Sequence, residues 1–165
     1  MLKQALSGIA IIALAAGFGF DAAAQDASEV AKAEAGQSCA GCNLFQADLS
    51  YVEAKNISFK GARLRQSKMV VSSLDGVDFS GSNLSLSILS ASRFEGSNFA
   101  NANLEGASLV GSWFGGANFK GANLTGANLS GATLTTAKGL TQDQLNGACG
   151  DAATKLPGEL FVPQC

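Results

Sequence analysis

The sequence predicts an all-β solenoid: a narrow four-sided coil of nearly five turns, closed at its C-terminal end by one short helix. Three observations predict it. A large apolar residue stands at every fifth position from Leu44 to Leu134, with Ala54 the one undersized member. A small or modest residue precedes each by two positions, from Cys42, Ala47, Val52 and Ile57 to Ala127 and Ala132. Like side chains then recur every twenty residues, as in the leucine column Leu44, Leu64, Leu84, Leu104, Leu124 and the phenylalanine column Phe59, Phe79, Phe99, Phe119.

A period of five matches neither the 3.6 of a helix nor the two of a strand, so no amphipathic element explains it. A short fixed period signals coils that stack and bury a shared core. Sorting into columns at twenty is expected if like residues stack at the ~4.8 Å spacing of paired strands. Twenty residues in units of five make four short sides. Each side has room for one large and one small residue, since interiors pack near crystal density. Ala54 lies between oversized neighbours, Val52 and Ile57, which reads as volume compensation. Glycine recurs at one position per unit, for example Gly61, Gly81 and Gly121, where a side must turn a corner. Asparagines ahead of the large positions, such as Asn98, Asn103, Asn118, Asn123 and Asn128, can form ladders outside.

The units Ala-Asn-Phe-Lys-Gly at 117–121 and Ala-Asn-Leu-Thr-Gly at 122–126 resemble the consensus of the pentapeptide-repeat proteins. That resemblance spans Cys42 to Thr136 and implies a right-handed quadrilateral β-helix. Its motif is structural and carries no catalytic residue over to this chain. The enzymatic look-alike, the hexapeptide-repeat acyltransferases, would need a period of six.

Taken in order, the 165 residues with a formal charge of −2 bound one modest domain. Residues 1–24 read as a cleaved signal peptide. Lys3 begins it, Ile9 to Phe20 form its apolar run, and Ala22, Ala23 and Ala24 make the cleavage site before Gln25. Asp21 cuts the run short of the ~20 residues a membrane span needs. No cysteine follows the run, which argues against a lipid anchor. The expected address is therefore exported, periplasmic or secreted, with no membrane in the mature form. Residues 25–38 read as a flexible or short helical lead-in, and 39–136 as the coils.

Residues 137–165 break the period and read as a cap containing one short helix. Thr141 and Gln144 form a capping box, Leu140 and Leu145 a hydrophobic staple, and the helix is expected to stop near Cys149 with Gly150 left-handed. Such a cap keeps an open coil end from aggregating. Its tail, with Leu156-Pro157 and Pro163-Gln164-Cys165, resembles that of exported members of the family.

Four cysteines in an exported chain suggest disulfides. Nearly five coils separate the rod's ends by roughly 20 Å, and a disulfide needs its Cα atoms within about 7 Å. Cys149 is thus expected to pair with Cys165, leaving Cys39 and Cys42 to pair together or stay reduced. Read sharply, Cys39-Ala40-Gly41-Cys42 is a thiol-disulfide redox site. Against that, no βαβ pattern surrounds it and Cys42 takes an inward position. A metal site is disfavoured by the same end-to-end distance and by the absence of histidine.

Without histidine, triads and bases built on it are excluded. Asp75, Asp78, Glu95 and Glu105 fall at outward positions, so no catalytic residue, cofactor or metal is assigned. Outward apolar residues cluster on the side of Leu49, Met69, Leu89 and Leu109: Tyr51, Val70, Val71, Ile88 and Val110. Leu86 stands at the corner entering that side and Trp113 just past the corner leaving it. Clustered apolar groups mark contact surfaces, whereas β-propensity alone would also favour branched residues there. A basic collar (Lys55, Lys60, Arg63, Arg65, Lys68) wraps the first two coils and reads as solvated, not as a nucleic-acid site.

The expectation is a non-enzymatic exported β-helix that binds a protein partner or itself. Two alternatives stand beside it. Gyrase protection by DNA mimicry, known among the resembling family, would require a strongly acidic surface and a cytoplasmic address. A redox protein would use Cys39 and Cys42.

Overall fold

A computed structural model describes residues 25–165. The export-signal reading of residues 1–24 lies outside the described residues. Of the expected cleavage pair only Gln25 is described, and its side-chain amide donates to the Phe45 carbonyl.

Helix α1 (Ala27–Glu34) begins at Asp26, whose carboxylate accepts the Ser28 amide proton at 2.8 Å. It lies over the first coil, burying Ala33, and Glu29 accepts the Asn43 amide at 2.7 Å. Strands β1 (Glu53–Lys55) and β2 (Ser73–Asp75) pair in parallel, with Ala54 beside Leu74. Elsewhere the sides meet through single parallel bridges twenty residues apart, from Asn43↔Arg63 to Asn118↔Lys138. Each side is too short between corners for a longer ladder to form. The bridge partners confirm the column sorting, because residue 43 sits under 63, 83, 103 and 123 in turn.

The large residues point inward and are fully buried. The phenylalanine column stacks, Phe79 on Phe99 at 5.0 Å and Phe99 on Phe119 at 5.1 Å between ring centroids. A second stack, Phe94 on Phe114 at 5.2 Å, meets the first edge-on. Offset and edge contacts of this kind are each worth about 0.5–1.5 kcal/mol beyond area burial. Ala54 has a further reason to be small. The chain leaving α1 crosses it at Gly36, where an added Cβ would stand 3.2 Å from that of Ala54.

Outside, the asparagine ladder forms. Asn118 donates to Asn98 at 3.0 Å, Asn98 to Asp78 at 3.1 Å, and Asn123 to Asn103 at 3.1 Å. Each side-chain oxygen also accepts a backbone amide two residues on, as Asn98 does from Ala100.

Helix α2 (Gln142–Asn146) carries the expected capping box at Thr141 and Gln144 and buries Leu145. Gln144 also donates to the carbonyls of Phe119 and Ala122, at 2.9 and 2.8 Å, tying α2 to the last coil. The helix stops earlier than the sequence suggests. Its C-cap is Gly147 in a right-handed conformation, and Gly150 is not a left-handed stop. The backbone after Asn146 is drawn into pairing with the coil instead: Gly147 accepts from Gly126, and Cys149 exchanges bonds with Ala127 and Leu129. Gly150 serves close packing, since a Cβ there would lie 2.6 Å from Val162 and 2.7 Å from Thr154.

Candidate functional site

Corner geometry decides which residues of this rod can be offered to a partner. Each corner places one residue in the left-handed region. Glycine fills it cheaply, while a residue with a Cβ costs about 1–2 kcal/mol. On the corner leaving the side of Leu49, Met69 and Leu89, the occupants run Tyr51 (φ 63°), Val71 (φ 55°), Ala91 (φ 55°), Gly111 and Gly131. On the corner entering it stand Gln46, Gln66, Leu86 (φ 58°), Gly106 and Gly126.

Tyr51 and Val71 are therefore not on the flat of the side, as the sequence reading has them, but at its turning point. The distinction matters. Strand propensity cannot account for a β-branched or aromatic residue in a left-handed corner, where it is a conformational outlier. Tyr51 is nonetheless 74% exposed, Val71 53% and Leu86 45%. Ile88 and Val110 stand exposed on the flat between the corners, with Val70 half-buried. Trp113, exposed on the next side, lays its indole over Gly115. Backbone bonds lock these residues together, Tyr51 to Val70 at 3.0 Å and Ala91 to Val110 at 2.9 Å.

Beneath the corner runs a feature the sequence reading passed over. Ser72, Ser92 and Ser112 occupy one buried column. Their hydroxyls donate to the carbonyls of Leu49, Met69 and Leu89 at 2.9, 2.5 and 2.5 Å. They also accept from the coil before: Ser92 from the Ser72 amide at 2.9 Å, Ser112 from the Ser92 amide at 3.0 Å. This ladder pins the corner from inside. Its signal was available as serine recurring every twenty residues in a column otherwise filled by Val52 and Ala132.

Charge around the face is mixed. Lys68 precedes Met69 on the same side, and Arg65 and Glu105 share a column on the adjoining one, both exposed. Hydrogen bonds from Ser50, aided by Lys68, hold the Asp48 carboxyl below its usual range. On the next side Arg93 is ion-paired with Asp75 and lies 3.7 Å from Glu95.

The cysteines pair as Cys149–Cys165 (Cα–Cα 4.8 Å) and Cys39–Cys42 (5.4 Å), so none is free. Cys39 and Cys42 are buried where the lead-in joins the first coil.

The pentapeptide-repeat family model matches residues 72–109 and 102–138, with eight copies of the repeat. Among solved structures the chain is similar to a pentapeptide repeat protein from the Arabidopsis thaliana thylakoid lumen. That likeness is at 32% identity and TM-score 0.55, covering 56% of this chain and 65% of that one. It is similar also to HetL, a pentapeptide repeat protein involved in heterocyst differentiation regulation from the cyanobacterium Nostoc. Here identity is 28% and TM-score 0.60, over 71% of this chain and 49% of HetL. A pentapeptide repeat protein from the cyanobacterium Cyanothece shares the fold, at 24% identity and TM-score 0.60, over 78% and 97% of the two chains. The chain thus spans less than two thirds of the first relative and about half of the second. No curated protein matches it.

Residues 72–138 thus carry pentapeptide repeats, the solved structures that the chain resembles are pentapeptide repeat proteins, and its coil is a right-handed β-helix solenoid like theirs.

A second family model, that of the high potential iron-sulfur proteins, matches residues 12–63. An iron-sulfur cluster of that kind needs four cysteine thiolates. Residues 12–63 contain only Cys39 and Cys42, bonded to each other, and the other two cysteines are bonded together beside the opposite end of the coil. Among the described residues no group of three or more histidine, cysteine or acidic side chains converges on one point. The residues present do not fit such a cluster.

Proposed function

We propose that this protein is a non-enzymatic, exported β-helical rod that works as a protein-binding or structural module. In this reading residues 1–24 are removed at Ala24–Gln25. Residues 25–38 form a short helical lead-in, 39–136 wind through nearly five four-sided coils, and 137–165 close the C-terminal end. Two disulfides in one chain support an oxidising compartment, as does the likeness to a protein of the thylakoid lumen. The contact face is the corner and flat formed by Tyr51, Val70, Val71, Leu86, Ile88 and Val110, flanked by Trp113.

One observation carries the reading: Tyr51, Val71 and Leu86 are apolar, exposed and held in a backbone region that disfavours them. For Tyr51 and Val71 neither folding nor solubility gains from that choice, and Leu86 leaves 45% of itself exposed although it reaches over Gly106. Burial against a partner does. The duplex-mimic alternative calls for a continuous acidic stripe, and among the described residues Arg93 interrupts the outward carboxylates Asp75 and Glu95. Buried, bonded Cys39 and Cys42 support a staple in preference to a redox site, because exchange requires access to a sulfur.

A photo-crosslinking amino acid at Val71, compared with one at Lys60 on another side, tests the face in the native compartment. Crosslinks confined to Val71, and lost on Val70→Lys with Ile88→Lys while the thermal melt is kept, are the expected result. Equal yields at the two positions would overturn the face. A reporter enzyme fused behind residue 24 tests the address; its retention in the cytoplasm would overturn export.

A further inference from the structure

We infer that the occupant of this face is a second copy of the chain, packed side by side with the two rods antiparallel and the two-fold axis level with Leu86 and Ile88. The inference rests on the contact-face reading above and names its partner.

An interface between identical chains related by a two-fold must be self-complementary. With antiparallel rods, such an axis leaves each column facing itself and exchanges the coils above it with those below. The coil of Leu86, Ile88 and Ala91 then meets its own copy. The coil of Arg65, Val70 and Val71 meets that of Glu105, Val110 and Gly111.

Shape fits this exchange. The corner column shrinks step by step along the rod: Tyr51, Val71, Ala91, Gly111, Gly131. Antiparallel packing sets Tyr51 against the partner's Gly131 and Val71 against the partner's Gly111, so at this corner each bulky residue meets a glycine and only Ala91 meets itself. Space over Gly111 is open, with nothing within 4 Å of where a Cβ would stand. Parallel packing would keep each coil at its own level. Bulky corners would then meet at one end and glycine corners at the other, leaving a wedge.

Charge fits as well. Arg65 and Glu105 lie in one column, one coil to either side of the axis, so at ~4.8 Å per coil each is about 5 Å from it. Both are exposed, and among the described residues neither has an ion-pair partner of its own. The two-fold brings Arg65 to the partner's Glu105, and does so twice. Parallel packing would set the positive coil of Arg65 and Lys68 beside its own copy. At the axis Leu86 and Ile88 meet their own copies, Val70 meets the partner's Val110 on the same flat, and the Arg65–Glu105 pairs lie along one edge, an apolar centre with a charged margin.

Sedimentation of the full chain over about 1–100 μM, which brackets a micromolar Kd, should show a dimer. Arg65→Glu alone and Glu105→Arg alone should each weaken it by about tenfold or more, and the two together should restore it. Ala91→Cys adds a single free thiol at the axis, so mild oxidation should link two chains through it. Ser80→Cys, on another side, should not link. A monomer at every concentration, a double reversal that fails to restore association, or equal linking through positions 91 and 80 would overturn the second copy. If the chain is monomeric yet Val71 still crosslinks a different protein, the second copy falls and the face stands. If Val71 crosslinks nothing, both fall.

Discussion

The side chain of Leu86 lies over Gly106: its Cδ2 is 2.8 Å from the point a Cβ on Gly106 would occupy. Two successive corners are thereby coupled, the lower one lending its methyl group to cover the upper. Gly106→Ala should cost about 1–2 kcal/mol, chiefly because φ there is +63°. Leu86 can swing aside, so the clash adds little. Urea unfolding of the wild type and variant gives the difference directly.

Buried serines should divide into two kinds. Ser92→Ala removes the acceptor of the Ser72 amide and the donor to Met69, leaving both groups buried and unpaired. The expected loss is about 1–3 kcal/mol. Ser67 is equally buried, but its hydroxyl has no partner among the described residues. Ser67→Ala should therefore be neutral or slightly stabilising. Equal losses in the two variants would contradict the ladder.

Breaking the C-terminal disulfide should matter more than breaking the N-terminal one. Cys149 and Cys165 close a loop of sequence separation 16, against 3 for Cys39 and Cys42. Loop-closure entropy puts the first at about 3 kcal/mol and the second lower. Paired serine substitutions, compared by denaturant midpoint, measure both.

Acid should loosen the C-terminal segment through Asp151. Its carboxylate accepts from the Gly131 amide at 2.8 Å, and from Ala153 and Thr154. With the Gly131 bond foremost, and partial desolvation opposing, these bonds hold its pKa below the ordinary value of 3.8. A lowered folded pKa means that the contribution is complete above the ordinary value and lost as pH falls through the lowered one. Melting temperature measured down to pH 2 should drop less steeply for Asp151→Asn than for the wild type. In Asp78 burial pushes the carboxyl up, but hydrogen bonds from Ser80 and Asn98, with Lys60 nearby, win and lower it. Asp78→Asn should flatten the same acid limb.

Much of the architecture could be read in the chain because a stacked coil repeats its physics. Phe79, Phe99 and Phe119 had to share an environment if they shared a column, and the rings stack accordingly. Cys149 and Cys165 could be paired by reach alone. What escaped were features set by backbone shape and not by burial. The left-handed corners of Tyr51 and Val71 look, in sequence, like ordinary strand surface. Gly147 ends α2 because the following backbone pairs with the coil, an interaction without a local signature. The serine column was hidden by hydropathy, which treats Ser92 as polar although its hydroxyl is spent on Met69 inside the wall.

Because the bridges from Asn43↔Arg63 to Asn118↔Lys138 all join residues twenty apart, rod length is a free variable while phase is not. Duplicating residues 84–103 would add one storey and leave each column continuous. Duplicating a single five-residue unit would rotate everything beyond it by a quarter turn, setting leucine on phenylalanine and buried serine under alanine, as Leu84 under Phe99 and Ser92 under Ala107. Evolution of such a chain can proceed by whole storeys, and each added storey would move the midpoint about which Tyr51 and Gly131 are matched.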